Sequence, residues 1–195
     1  MVIGHHVIFS TYGFWLPNDP RGSWSDFVGK WELLRFGFAT KTTVRRSVAG
    51  VEHDSARRIA AKAALRYPPV ILSGIQARAV GRGFARYIEK SGLTVWACSI
   101  LPQHVHMVVG RHSFDVEYAV NQLKGYATRQ LRAEDLHPSS ACWVRGHWRV
   151  FLNKPQDVGR AIRYVQRNPE KDHLPRQQWP FVQLFSHDPQ GSASR

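Results

Sequence analysis

An α+β fold is what this sequence predicts: a ferredoxin-like βαββαβ antiparallel sheet, followed by one more helix. Three observations predict it. Residues 93–109 form an apolar run without a single Asp, Glu, Lys or Arg, broken only by the turn Leu101-Pro102-Gln103, so the run reads as a hairpin. Segments with helical apolar period lie on either side of that hairpin, at 73–91 and 114–132. Strand-like segments rich in β-branched and aromatic residues open the chain and follow the second helix. In a βαββαβ sheet the first and third strands are the inner ones. The strand after the turn is then central.

The chain has 195 residues, enough for one domain. With 43% hydrophobic and 21% charged residues it is globular rather than disordered in composition. The formal net charge is +13, and 20 of the 27 basic residues are Arg. Arg pairs with phosphate in a planar, bidentate way and stacks on bases, so the charge points to a nucleic acid. A basic membrane-surface protein would need a strongly amphipathic basic helix or a lipidation signal, and neither is present. No secretory signal opens the chain and no run of 18 apolar residues occurs, so a cytosolic protein is expected. Cys98 and Cys142 lie in apolar surroundings with no CxxC, and read as small core residues.

Taken in order, residues 2–9 form the first strand, which carries His5 and His6. Either ring fits a place near a site or a buried, hydrogen-bonded role. Residues 12–24 are a loop by their Gly, Pro, Asn and Asp content. Its aromatics suit base stacking and loop anchoring equally. Residues 17–69 read as an insertion or arm, with a short basic helix over 52–66. Residues 70–72 lead up to the first long helix as a short strand or approach. That helix, 73–91, opens on a capping box of Ser73 and Gln76 and ends at Gly92. Strands follow at 93–100 and 104–109. Ser113 caps the next helix, 114–132, and residues 141–152 form the fourth strand. Asn153 and Pro155 open a last helix, which Asn168-Pro169 should stop, because a residue before proline disfavours helical geometry. The tail, 170–195, carries the anchor-like Trp179, Phe181, Leu184 and Phe185.

Two features carry chemistry. In an extended segment, side chains alternate between faces. His104 and His106 therefore point one way while Val105 and Met107 point the other. Two readings fit: a two-histidine metal site, or the solvated face of an amphipathic strand. In the last helix Val158, Ala161, Ile162 and Val165 form an apolar stripe. Tyr164 lies roughly 200° around from Ile162 and shares its face with Arg160 and Asn168. Arg163 and Arg167 flank it. An amphipathic tyrosine at a helix rim is the structural alternative.

Together these features resemble the single-tyrosine HUH transposases. The residues that carry the resemblance are Leu101-Pro102-Gln103-His104-Val105-His106-Met107-Val108-Val109 and Arg163-Tyr164-Val165-Gln166-Arg167-Asn168-Pro169. Leu123-Lys124-Gly125-Tyr126 and the histidine-bearing first strand are similar to that family too. The stretch around Tyr164 and the aromatic tail look most like the REP-associated tyrosine transposases. The resemblance spans roughly 1–16 and 70–185. Gln103 stands where the family usually has Asn or Asp, and Asn168 where mobile members have Gln.

The resemblance implies a metal-dependent DNA nickase and ligase. Tyr164 would be the nucleophile, and His104, His106 and Asn168 would hold Mg²⁺ or Mn²⁺. Lys124, Arg160, Arg163 and Arg167 are candidate phosphate clamps. Tyr126 is the rival nucleophile. The implied partner is single-stranded DNA with a hairpin, handled by a monomer or a homodimer in the bacterial cytoplasm, at the nucleoid. Two other functions fit the residues: a non-catalytic nucleic-acid-binding module on the same frame, and a metal-dependent phosphodiesterase that uses water.

Overall fold

The computed structural model describes residues 1–14, 16, 31–37, 54–138 and 141–186. Trp15, Trp24, most of the expected arm and residues 187–195 lie outside them. The chain divides into two compact units: residues 1–9, 72–137 and 146–195, and residues 10–71 with 138–145.

The first unit holds the sheet. Its strands are β1 (Gly4–Ser10, which ends at the first residue of the second unit), β2 (Val95–Ile100), β3 (His104–Gly110) and β4 (Trp148–Leu152). They lie in the order β2-β3-β1-β4, antiparallel, with β3 and β1 innermost. The turn over 101–103 sets the β2/β3 register, which pairs Ser99 with His106 and Ile100 with Val105. Across β1 and β4, His6 pairs with Val150. The fourth strand starts seven residues later than its β-rich composition predicts. Trp143 instead makes a lone bridge to Thr11 in the second unit.

Two helices, α2 (Gly74–Ser91) and α3 (Val116–Ala133), pack on one another. The reciprocal Ser73–Gln76 capping box forms as read, and Gly92 closes α2 in the left-handed region at φ 67°. Asp115, not Ser113, caps α3, because its carboxylate accepts from the Glu117 amide at 2.7 Å. Phe9 of β1 meets Phe84 of α2 ring to ring. The odd-numbered residues of β1 thus face α2 and α3. The even-numbered residues of β1 and β3 face the last helix, α4 (Pro155–Lys171). Ala97, Val108 and Leu152 of the sheet form a buried cluster there with Val158, Ala161 and Val165.

Asn168-Pro169 does not stop α4, which runs on to Lys171. Pro169 has no N–H, so the carbonyl of Val165 loses its helical donor. The Ser99 hydroxyl of β2 donates to that carbonyl instead. The tail then runs along the outer edge of β2. Gln177 exchanges two hydrogen bonds of 2.8 Å with the Ile100 backbone, and the Gln183 amide donates to Val95. Phe181 and Phe185 pack as the sequence suggests, while Leu184 is 96% exposed and anchors nothing.

In the second unit, the short helix over 52–66 is observed as α1 (Ser55–Ala63), with Asp54 accepting from the Arg57 amide. A 3₁₀ helix spans Trp31–Phe36. Residues 70–72 are not a strand. Both cysteines are buried free thiols. Among the described residues, no helix is long and apolar enough to cross a membrane.

Candidate active site

His106 sits on a central strand because Val105, Met107 and Val109 fill the opposite face of β3. The alternation that buries those three sends His104 and His106 toward α4. The same period on β1 sends His6 to that side. Its Nε2 lies 3.0 Å from Nδ1 of His106, a hydrogen bond between two imidazoles. The His104 and His106 rings meet at 4.8 Å between centroids.

The Tyr164 ring stands edge-on to both inner-strand histidines, 5.7 Å from His6 and 5.6 Å from His106. It is 44% exposed, so its hydroxyl is not buried in the core. The α4 stripe that packs on the sheet fixes this placement. Val158, Ala161 and Val165 are buried, and Tyr164 falls at the edge of that stripe, where the histidines are. Lys171, in the last turn, holds its ammonium 4.2 Å from the Tyr164 ring centroid. The contact is a cation–π interaction.

Burial governs the protonation of the imidazoles. It pushes His6 down to about 4. His106 is held well below the usual imidazole value, first by burial and then by His104, His6 and Lys171. Both rings are neutral at pH 7, the form that ligates a metal.

Asn168 follows Tyr164 by one helical turn. It is 6% exposed, and its amide nitrogen is buried with no hydrogen-bond partner among the described residues. Amide nitrogen and oxygen exchange places by a flip, so this side chain can present an oxygen. A buried amide without a partner is costly unless something binds it. Among the described residues, no group of three His, Cys, Asp or Glu side chains is placed to hold a metal ion. A divalent ion held here would have the Asn168 amide as a candidate donor besides His104 and His106. The donor set of two imidazoles and one amide fits such an ion and leaves room for phosphate oxygens.

The structure thus brings His104, His106 and Tyr164 together, with Asn168 one turn on. Arg163 and Arg167 are exposed on α4 beside them. Arg160 is exposed too, and is ion-paired to Asp157. Lys124 is not part of this group. It is buried on the α2/α3 side of the sheet, donates to the Gly146 carbonyl and lies over the Phe9 ring. Burial pushes its ammonium down to about 8. Tyr126 is on that side as well, against Tyr87 and Arg129. A cavity of about 460 Å³ lined by His5, Arg149 and Phe151 also lies away from Tyr164.

Lys171 is the residue that the sequence did not single out, and His6 was read only as one of two first-strand histidines, near a site or buried and hydrogen-bonded. The strand period of β1 could have marked His6, since it puts that ring on the face opposite the core residues Val7 and Phe9. Lys171 lay beyond the expected end of α4.

Comparisons with known proteins give the family. The fold is similar to that of a REP-associated tyrosine transposase bound to a REP hairpin, at 14% identity and a TM-score of 0.48, over 93% of this chain and 76% of that one. It is also similar to a protein of Deinococcus radiodurans R1 described as a transposase, at 13% identity and a TM-score of 0.41, over 90% of this chain and 94% of that one. No curated protein matches the sequence. A family model described as "Transposase IS200 like" matches residues 63–168, more than half of the chain. His104, His106, Tyr164 and Asn168 all fall within that match, and the chain belongs to the IS200-like transposase family.

Proposed function

We propose that this transposase cleaves and rejoins single-stranded DNA through a 5′-phosphotyrosine on Tyr164, at hairpin-forming repeats. The observation that carries the reading is the Tyr164 ring set against His6 and His106, on a half-exposed rim that DNA can reach.

In the forward step the Tyr164 oxygen attacks the scissile phosphorus, losing its phenolic proton. The new bond joins tyrosine oxygen to phosphorus. The broken bond frees the 3′ oxygen, which takes up a proton. Attack by a 3′ hydroxyl on the phosphotyrosine reverses the step and rejoins strands without ATP. Lys171, with its ammonium over the Tyr164 ring, adds positive charge where the phosphate would sit. Arg163 and Arg167 supply positive charge for the flanking phosphates. His104, His106 and Asn168 would hold Mg²⁺ or Mn²⁺, which when bound supplies neutralisation of charge on the scissile phosphate.

The test is a denaturing gel with a labelled hairpin oligonucleotide. A covalent protein–DNA adduct should form with Mg²⁺ or Mn²⁺, disappear with chelator, and be absent in Tyr164→Phe, a loss of at least about 10³-fold. Cleavage that persists in Tyr164→Phe would mean that water attacks. Binding without cleavage, indifferent to metal and to His104 and His106, would mean a non-catalytic binding module.

A further inference from the structure

We infer that His6 is a positioning residue: it accepts the Nδ1 proton of His106 and so leaves His106 Nε2 unprotonated as a ligand atom. Where the cation is concerned, this rests on the reading above.

A separation of 3.0 Å between His6 Nε2 and His106 Nδ1 requires one ring N–H and one lone pair. Two arrangements satisfy it. If His6 donates, the neutral His106 carries its own proton on Nε2, and its only lone pair is taken up by His6. Neither nitrogen of His106 can then bind a metal. If His106 donates from Nδ1, its Nε2 is bare. Only the second arrangement is compatible with ligation.

The Nε2 of His6 is engaged by His106 Nδ1, so it is not offered as a third imidazole ligand. Among the described residues no three such groups are placed to hold an ion. His6 therefore acts through His106. Metal-binding histidines commonly donate their second ring N–H to a carboxylate or a carbonyl. Here the acceptor is another imidazole, neutral and on the neighbouring strand. The two rings stack at 5.3 Å with 29° between planes, and Tyr164 stands edge-on to both. That packing restricts the rotation of either ring and holds the two nitrogens in hydrogen-bond contact.

Two measurements test this. Long-range ¹H–¹⁵N NMR on the metal-free, full-length protein reads the tautomer of His106 directly. The Nδ1–H form is expected, and an Nε2–H form overturns the inference. The second measurement titrates Mn²⁺ alone, followed by its EPR signal. His6→Leu removes the acceptor and should weaken Mn²⁺ binding about 10- to 100-fold. His6→Gln places an amide oxygen near the lost Nε2 and should recover most of that loss. Wild-type affinity in a folded His6→Leu overturns the inference, and so does equal weakening in both variants. The metal reading fails separately, if His104→Ala and His106→Ala leave Mn²⁺ binding unchanged. The NMR result needs neither a variant nor a metal, so it decides the role of His6 in that case too.

Discussion

A buried imidazole beside a second imidazole has no counter-charge, so both rings are held neutral. The consequence is a pH-dependent stability with a definite sign. The folded-state pKa of His6 lies at about 4, below the usual 6.5. Between those values the unfolded chain binds a proton that the fold excludes. The stabilisation is complete above pH 6.5 and is lost as pH falls toward 4. Each such ring contributes a slope of about 1.4 kcal/mol per pH unit inside the window. His106, His5 and His147 are shifted in the same direction. Urea unfolding of the metal-free protein should therefore show a loss of about 2–4 kcal/mol from about pH 7 to about pH 5. Equal stability at the two values would contradict the burial account. At this scale the sequence was legible for His104 and His106, because strand alternation fixes their face. It was not legible for the His6–His106 bond, which depends on the offset between two strands far apart in sequence.

The α4 helix shows how an element can outrun its local signal. Pro169 should end it, and in a free peptide the missing N–H would leave the Val165 carbonyl bare. The Ser99 hydroxyl, donated from β2, supplies what the helix itself lacks. The last turn keeps Asn168 and Lys171 in place near Tyr164. Ser99→Ala removes the donor and leaves a buried carbonyl unsatisfied. A loss of about 1–2 kcal/mol in stability is expected. Amide exchange should rise selectively over 166–171. Uniform exchange along α4 would show that packing alone holds the turn. Where the sequence held both partners of an interaction, as in the Ser73–Gln76 box, the element was legible to the residue. Where the partner came from another element, as with Ser99 or with the short β4, it was not.

Across the whole molecule the order of elements set the topology, and the central place of β3 and β1 followed from it. The net charge of +13 is a property of the same scale, but it does not say where phosphates bind. Burial does. Arg163 and Arg167 are exposed beside Tyr164, whereas Lys124 is committed to Gly146 on the other side of the sheet. Composition could not separate them, because a lysine on a helix looks solvated until the packed face is known. Replacing Arg163 and Arg167 with Ala should weaken single-stranded DNA binding and lower the salt slope of log K by about 0.7 for each phosphate left without its arginine. Lys124→Met should leave that slope unchanged. The opposite ranking would place the DNA on the α2/α3 side.

Tyr164, facing the histidines of β1 and β3, is the residue proposed to carry the DNA. Peptide mapping of the covalent adduct by mass spectrometry tests it most directly. A 5′-phosphorylated nucleotide remnant is expected on the peptide containing Tyr164. A remnant on the Tyr126 peptide instead, or cleaved DNA with no modified tyrosine, would contradict it.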